Sequence, residues 1–175
     1  ARPVHQRELG SDQRHTDEGL RLYEEERDSA LLARFGNHDA KVCCHIFRAR
    51  ALALLGRTEQ ATQHSNDSIE FARKLAHPFS QALALVLASG LGQSLRDCVT
   101  TRNHAAAGIE IAREQEFRLL LAWAFAFQGW AEAYEGESNQ GLQKIVNSIG
   151  SVRAISCGGF QPHLLGLLAE TRLKA

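Results

Sequence analysis

Apolar residues along this chain recur at the three-to-four-residue spacing of helix faces, and no run shows the strict alternation of a strand. The pattern predicts first helices over residues 39–55, 79–96, 117–135 and 161–174, and second helices over residues 58–75, 99–115 and 138–155. Turn-forming stretches separate them. LGRT and EGES lie within each pair, while AHPF, EQEF and SCGGF lie between pairs. Thr58 and Ser138 are the expected N-caps, since a hydroxyl there can accept from a free N–H of the first turn. Connections this short require antiparallel neighbours, so the expected fold is all-α: antiparallel helical hairpins in an α-α superhelix.

The same pattern returns every forty residues. Ile69, Ile109 and Ile149 form one column, Ala72, Ala112 and Val152 a second, and Arg73, Arg113 and Arg153 a third. Small residues form others: Ala49, Ser89, Gly129 and Ala169; Ala61, Thr101 and Gly141; Ser68, Gly108 and Ser148. Side chains this small let two backbones approach, so these columns should mark helix crossings. The bulky column His45, Leu85, Phe125 and Leu165 should supply the knobs. Residues 1–15 read as a solvated tail and residues 16–38 as a partial N-terminal repeat or capping helices. Residues 39–175 read as three hairpin repeats plus an unpaired final helix. A looser early copy is suggested by Ala33, Arg34 and His38.

The spacing of small-residue columns, twelve then seven, resembles the tetratricopeptide repeat, although forty residues exceeds its usual 34. The stretches LYEEERDSALLARFGNHDAKVCCHIFRARALALLGRTEQA and ARKLAHPFSQALAL resemble the C-terminal repeat regions of bacterial signalling ATPases. These include the maltose-regulon-activator type and predicted ATPases associated with class III adenylate cyclase domains. That resemblance implies a sensor or scaffold array whose nucleotide chemistry sits in other domains.

Composition narrows the function. Twenty basic and 20 acidic side chains balance, which argues against nucleic-acid partners or an anionic membrane surface. The longest apolar run, LLLAWAFAF, is too short to span a bilayer. No signal-peptide core occurs at the N-terminus, and Cys43, Cys44, Cys98 and Cys157 lack disulfide or zinc spacing, so a cytoplasmic protein with reduced thiols is expected. The sequence has no methionine, and the final helix has no partner, so a piece of a longer protein is expected.

Catalytic motifs are weak. GLGQSL has leucine at the third glycine position of a dinucleotide fingerprint and sits in a helix with no strand before it. His38 with Asp39, and the run Glu24 to Arg27, supply no nucleophile, base and orienter together. Cys43, Cys44 and His45 point about 100° apart on a helix and cannot converge on one ion. A distant residue such as His77 would be needed, so no metal and no cofactor is expected.

The feature that breaks the repeat is WAFAFQGWAEAY. Trp123, Phe127, Trp130 and Tyr134 fall on one helix face. With Phe47 and Arg50 in the first copy and Leu87 and Gln93 in the second, they form the candidate concave binding face. The alternative is that these aromatics pack between helices. The expected function is a non-enzymatic interaction module binding a peptide or partner protein, with a small-molecule sensor as the alternative. The open C-terminal helix offers a surface for a homodimer.

Overall fold

The computed structural model describes residues 14–25, 27–28, 32, 38–155 and 160–174. Among the described residues the chain is all-helical, a repeat-like array with no strand. Seven helices follow residue 39: α1 (Ala40–Leu54), α2 (Thr58–Leu75), α3 (Pro78–Ser94), α4 (Cys98–Glu114), α5 (Arg118–Tyr134), α6 (Ser138–Ala154) and α7 (Gln161–Lys174). Each expected helix is present, within two residues at either end. Residues 1–13 and the early copy around Ala33 and Arg34 lie outside the described residues. Residues 14–22 are helical, so the end of the expected tail already belongs to a helix.

The turns repeat as closely as the helices. Gly56, Arg96 and Gly136 sit forty residues apart with φ of 75°, 63° and 116°, and Ala76 and Glu116 with φ of 52° and 57°. After α1, α3 and α5, an N–H five residues beyond closes on the last turn: Arg57 on Leu52, Asp97 on Gly92 and Glu137 on Glu132, each at 2.9 Å. Phe117 closes on Ala112 in the same way at 2.8 Å. Carbonyls left open by the helix ends are thereby satisfied within a three-residue connection. This capping turn reverses the chain and sets each hairpin.

Helix starts use different devices. Asp39 caps α1, its carboxylate accepting from the N–H groups of Lys41 and Val42, and also from the Tyr23 hydroxyl at 2.7 Å. Asp97 caps α4 by accepting from Thr100, whose hydroxyl and backbone N–H hold the Asp97 carboxyl below its ordinary range. At α3, Pro78 takes the first helical position, where its missing N–H costs nothing, and His77 Nδ1 accepts from the Ser80 N–H. Thr58 and Ser138 differ from expectation. Both are the first helical residue, one position inside the cap, and Arg57 and Glu137 occupy the caps without a side-chain bond.

The chain divides into two compact units, residues 1–84 and 85–175, with α3 passing from one into the other. In the first unit, α1 packs on α2 with Val42, Ile46, Ala49, Leu52, Ala61 and Ala72 buried. The Arg48–Asp17 ion pair at 2.8 Å ties the preceding helix to α1. In the second unit α5 is central, packing on α4, α6 and α7. The small-residue columns mark crossings as expected. A Cβ on Gly129 would lie 2.6 Å from the Gly141 carbonyl oxygen, and one on Gly108 would lie 2.9 Å from Val86 Cγ2. The α5–α6 backbones touch because neither partner has a side chain at the crossing. In α7, by contrast, Ala169 and Leu165 of the same columns are exposed.

Candidate functional site

The candidate face does not form one open surface. In the first unit, Phe47 is 57% exposed, Arg50 is exposed, and Leu54 one turn further is 74% exposed. These three share one side of α1, and among the described residues Arg50 has no hydrogen bond or ion pair. In the second unit the same helix positions are filled. Phe127 and Trp130 have no exposed surface, Gln93 is buried, and Leu87, Trp123 and Tyr134 are half-buried.

The filling follows the forty-residue step. Phe127 sets the end of its ring against Gly90, where a Cβ would lie 2.7 Å from Cζ. Trp130 donates its Nε1–H to Glu170 at 3.2 Å, forty residues on. The Tyr134 hydroxyl donates to the same carboxylate oxygen, and Arg96 ion-pairs with it from its left-handed turn. Lys174, forty residues after Tyr134, donates to the Tyr134 carbonyl at 2.8 Å and lies 3.9 Å from its ring centre. Further along, Trp123 packs on Phe160 with ring centres 4.4 Å apart, and Phe160 and His163 both meet Phe127. The stripe is thus the packing surface between successive first helices. Glu170 gives the indole and phenol the acceptor that buried polar atoms require. Phe127 and Trp130 have no surface left to offer a partner here.

An open groove lies instead between the two helices of the α5–α6 hairpin, with a volume of about 470 Å³. Leu121, Ala122 and Phe125 form its apolar floor, and Asn147, Ser148 and Ser151 its polar rim. Arg118 and Lys144 supply cations. Lys144 is engaged internally, by ion pairing with Glu132 and by donation to Gln128 at 3.0 Å. The Arg118 guanidinium has no acidic partner among the described residues, and Arg113 lies 6.0 Å from the Phe125 ring centre. The floor residues are spaced one and three apart, a readable helix face. Phe125 was legible as a knob of the bulky column. What the pattern hides is that the hairpin leaves this knob half uncovered.

The three described thiols are held in the protonated form. Burial, then the neighbouring Cys44, pushes the Cys43 thiol up to about 12, and burial also raises Cys44 and Cys98. All three stay protonated at neutral pH and are free. Cys157 lies outside the described residues. His77, which a site at Cys43 to His45 would need as a distant ligand, is occupied in capping α3. His45 faces His64 and Asp67 across the α1–α2 hairpin instead.

Among the described residues no helix is long and apolar enough to cross a membrane. No family model matches the chain, and no solved structure matches it. The chain is similar to an uncharacterized protein of Rhizobium meliloti (strain 1021), at 29% identity over 137 residues. The match covers 78% of this chain and 13% of that protein's length.

Proposed function

We propose that this chain is a non-enzymatic binding module of a larger cytoplasmic signalling or regulatory protein, and that it docks a peptide or partner-protein segment in the α5–α6 groove. The observation that carries this reading is the groove itself: an apolar floor at Phe125, a cation at Arg118 with no acidic partner among the described residues, and an amide-and-hydroxyl rim. Such a surface suits an amphipathic segment with an acidic residue placed to meet Arg118. The tetratricopeptide-like kinship rests on the column spacing, and the signalling-ATPase context rests on the resemblance of the stretches LYEEERDSALLARFGNHDAKVCCHIFRARALALLGRTEQA and ARKLAHPFSQALAL. The much longer Rhizobium protein is consistent with a module in a larger chain.

A second reading, a small-molecule sensor, is favoured by the groove's volume, which lies within the range of about 300–1,000 Å³ usual for ligand sites. Ser151 is exposed on the rim, so Ser151→Trp fills the groove without entering the core. A thermal-shift screen of amphipathic acidic peptides and of carboxylate metabolites should yield ligands that stabilise the native chain and lose their effect in Ser151→Trp. Hits among peptides support docking, and hits confined to metabolites support sensing. Ligands that act equally on both proteins place binding elsewhere. A homodimer through α7, where Leu165 and Leu173 are 43% and 91% exposed, belongs to the same proposal. Sedimentation as a monomer at high concentration would remove it.

A further inference from the structure

The α1–α2 hairpin of the first unit brings together a set of side chains that neither the groove nor the packing of the repeats uses. His45 on α1 and His64 on α2 face each other with their Nδ1 atoms 3.0 Å apart. Asp67, one turn beyond His64, places Oδ2 3.8 Å from His45 Nδ1. One ligand atom from each of the three residues can be chosen so that all lie within 4.8 Å of one another. All three residues are half-buried, so solvent reaches the cluster.

We propose that His45, His64 and Asp67 form a site for a divalent transition-metal ion of the zinc class, with a fourth position open to water. The spacing is the first argument. A tetrahedral zinc with bonds of about 2.0–2.1 Å needs ligand atoms about 3.3 Å apart, and the observed 3.0 and 3.8 Å lie on either side of that value. The second argument is the orientation of the carboxylate. Gln63 donates to Asp67 Oδ1 at 2.8 Å, leaving Oδ2 turned toward the imidazoles. A hydrogen bond that orients a ligating carboxylate is the usual second layer of a metal site. The third is the imidazole pair. Two nitrogens at 3.0 Å hold at most one proton between them, and a cation binding both lone pairs satisfies both rings at once.

Ligand type selects the metal. Two imidazoles and one carboxylate suit zinc, cobalt or nickel, and disfavour calcium and magnesium, which take oxygen. Lys41 and Arg48 bear on the histidines as opposing charges, and Arg48 is partly neutralised by Asp17 at 2.8 Å. Cys43 and Cys44 adjoin His45 in sequence, but the side chains whose ligand atoms converge are His45, His64 and Asp67, without either thiol.

Cobalt(II) is the informative probe, because its visible bands report tetrahedral geometry and its near-ultraviolet charge-transfer band reports thiolate ligation. The full chain, stripped with a chelator, should bind one equivalent of cobalt with intense visible bands and no thiolate band. Zinc should displace the cobalt and raise the melting temperature by several degrees. His64→Gln and Asp67→Asn, both on the open side of α2, should each weaken binding at least tenfold while leaving the metal-free circular dichroism unchanged. His104→Gln, in the other unit, should bind as the parent does. Absence of stoichiometric binding, a thiolate band, or full binding in both α2 variants would each overturn the proposal.

Discussion

Trp130 and Phe47 are both large aromatics on first helices, and their surroundings separate them. Trp130 is fully buried and hydrogen-bonds Glu170, whereas Phe47 is more than half exposed. Trp130→Ala should therefore cost about 3–5 kcal/mol, with a further penalty for the acceptor left behind. Phe47→Ala should fall within about ±0.5 kcal/mol. Urea denaturation of the two variants checks this pair, and a Trp130→Ala loss below about 1 kcal/mol would contradict the packing described here. The sequence showed that Trp123, Phe127, Trp130 and Tyr134 share a face. Which neighbour that face meets was legible only in part. Gly90 and Glu170 stand one repeat before and after Trp130, so the column Arg50, Gly90, Trp130, Glu170 already contained the answer. A glycine makes room for a large ring from the next copy, and a carboxylate receives an indole N–H. His64 was hidden for a related reason. The crossing of Gly129 with Gly141 fixes the register of its hairpin, and two forty-residue steps back the buried Ala49 and Ala61 hold the equivalent positions, which puts His45 opposite residues 64 and 65. That step needs the crossing to be known first.

At the scale of elements, the capping turns carry the repeat more faithfully than the side chains do. Five turn residues take a left-handed or positive-φ conformation, yet only Gly56 and Gly136 are glycine. Ala76 is exposed with φ of 52° and ψ of 28°, where a Cβ costs about 1–2 kcal/mol relative to the right-handed helix. Glycine removes that strain but widens the unfolded ensemble. Ala76→Gly should thus stabilise the chain by about 0.5–1 kcal/mol, and Gly56→Ala should destabilise it by about 1 kcal/mol. Opposite shifts in melting temperature are the expected result. Equal signs would mean that these turns are not under the same constraint. Helix boundaries were well predicted because the turn residues punctuate the apolar period. Caps were predicted less well. Residue type points to Thr58 and Ser138, whereas the capping turn before each helix fixes the backbone and leaves Arg57 and Glu137 at the cap.

Within the second unit, the packing order predicts an order of stability. The central helix α5 is covered by α4, α6 and α7, while α7 packs mainly on α5 and α6 and exposes Ala169, Leu165 and Leu173. In repeat arrays each element gains stability from its neighbours, so opening begins where neighbours are fewest. Native-state amide exchange should show the slowest amides in α5 around Ala124 to Ala131, and earlier exchange throughout α7. Equal protection of α7 and α5 would show that something beyond these contacts covers the last helix.

Helical period, turn residues and the forty-residue columns are properties of neighbouring positions, and the sequence by itself determined them. They sufficed for the fold class, for the number and limits of the seven helices after residue 39, and for the crossings at small residues. What the tertiary structure alone decided is which faces remain open. Exposure depends on what the next copy places against a residue. The same helix position is open at Arg50, shallow at Gly90, buried at Trp130 and half-buried at Glu170. A groove at Phe125 and a metal-ligand cluster at His45, His64 and Asp67 arise where opposed helices leave space or converge, and periodicity along one chain carries no record of either.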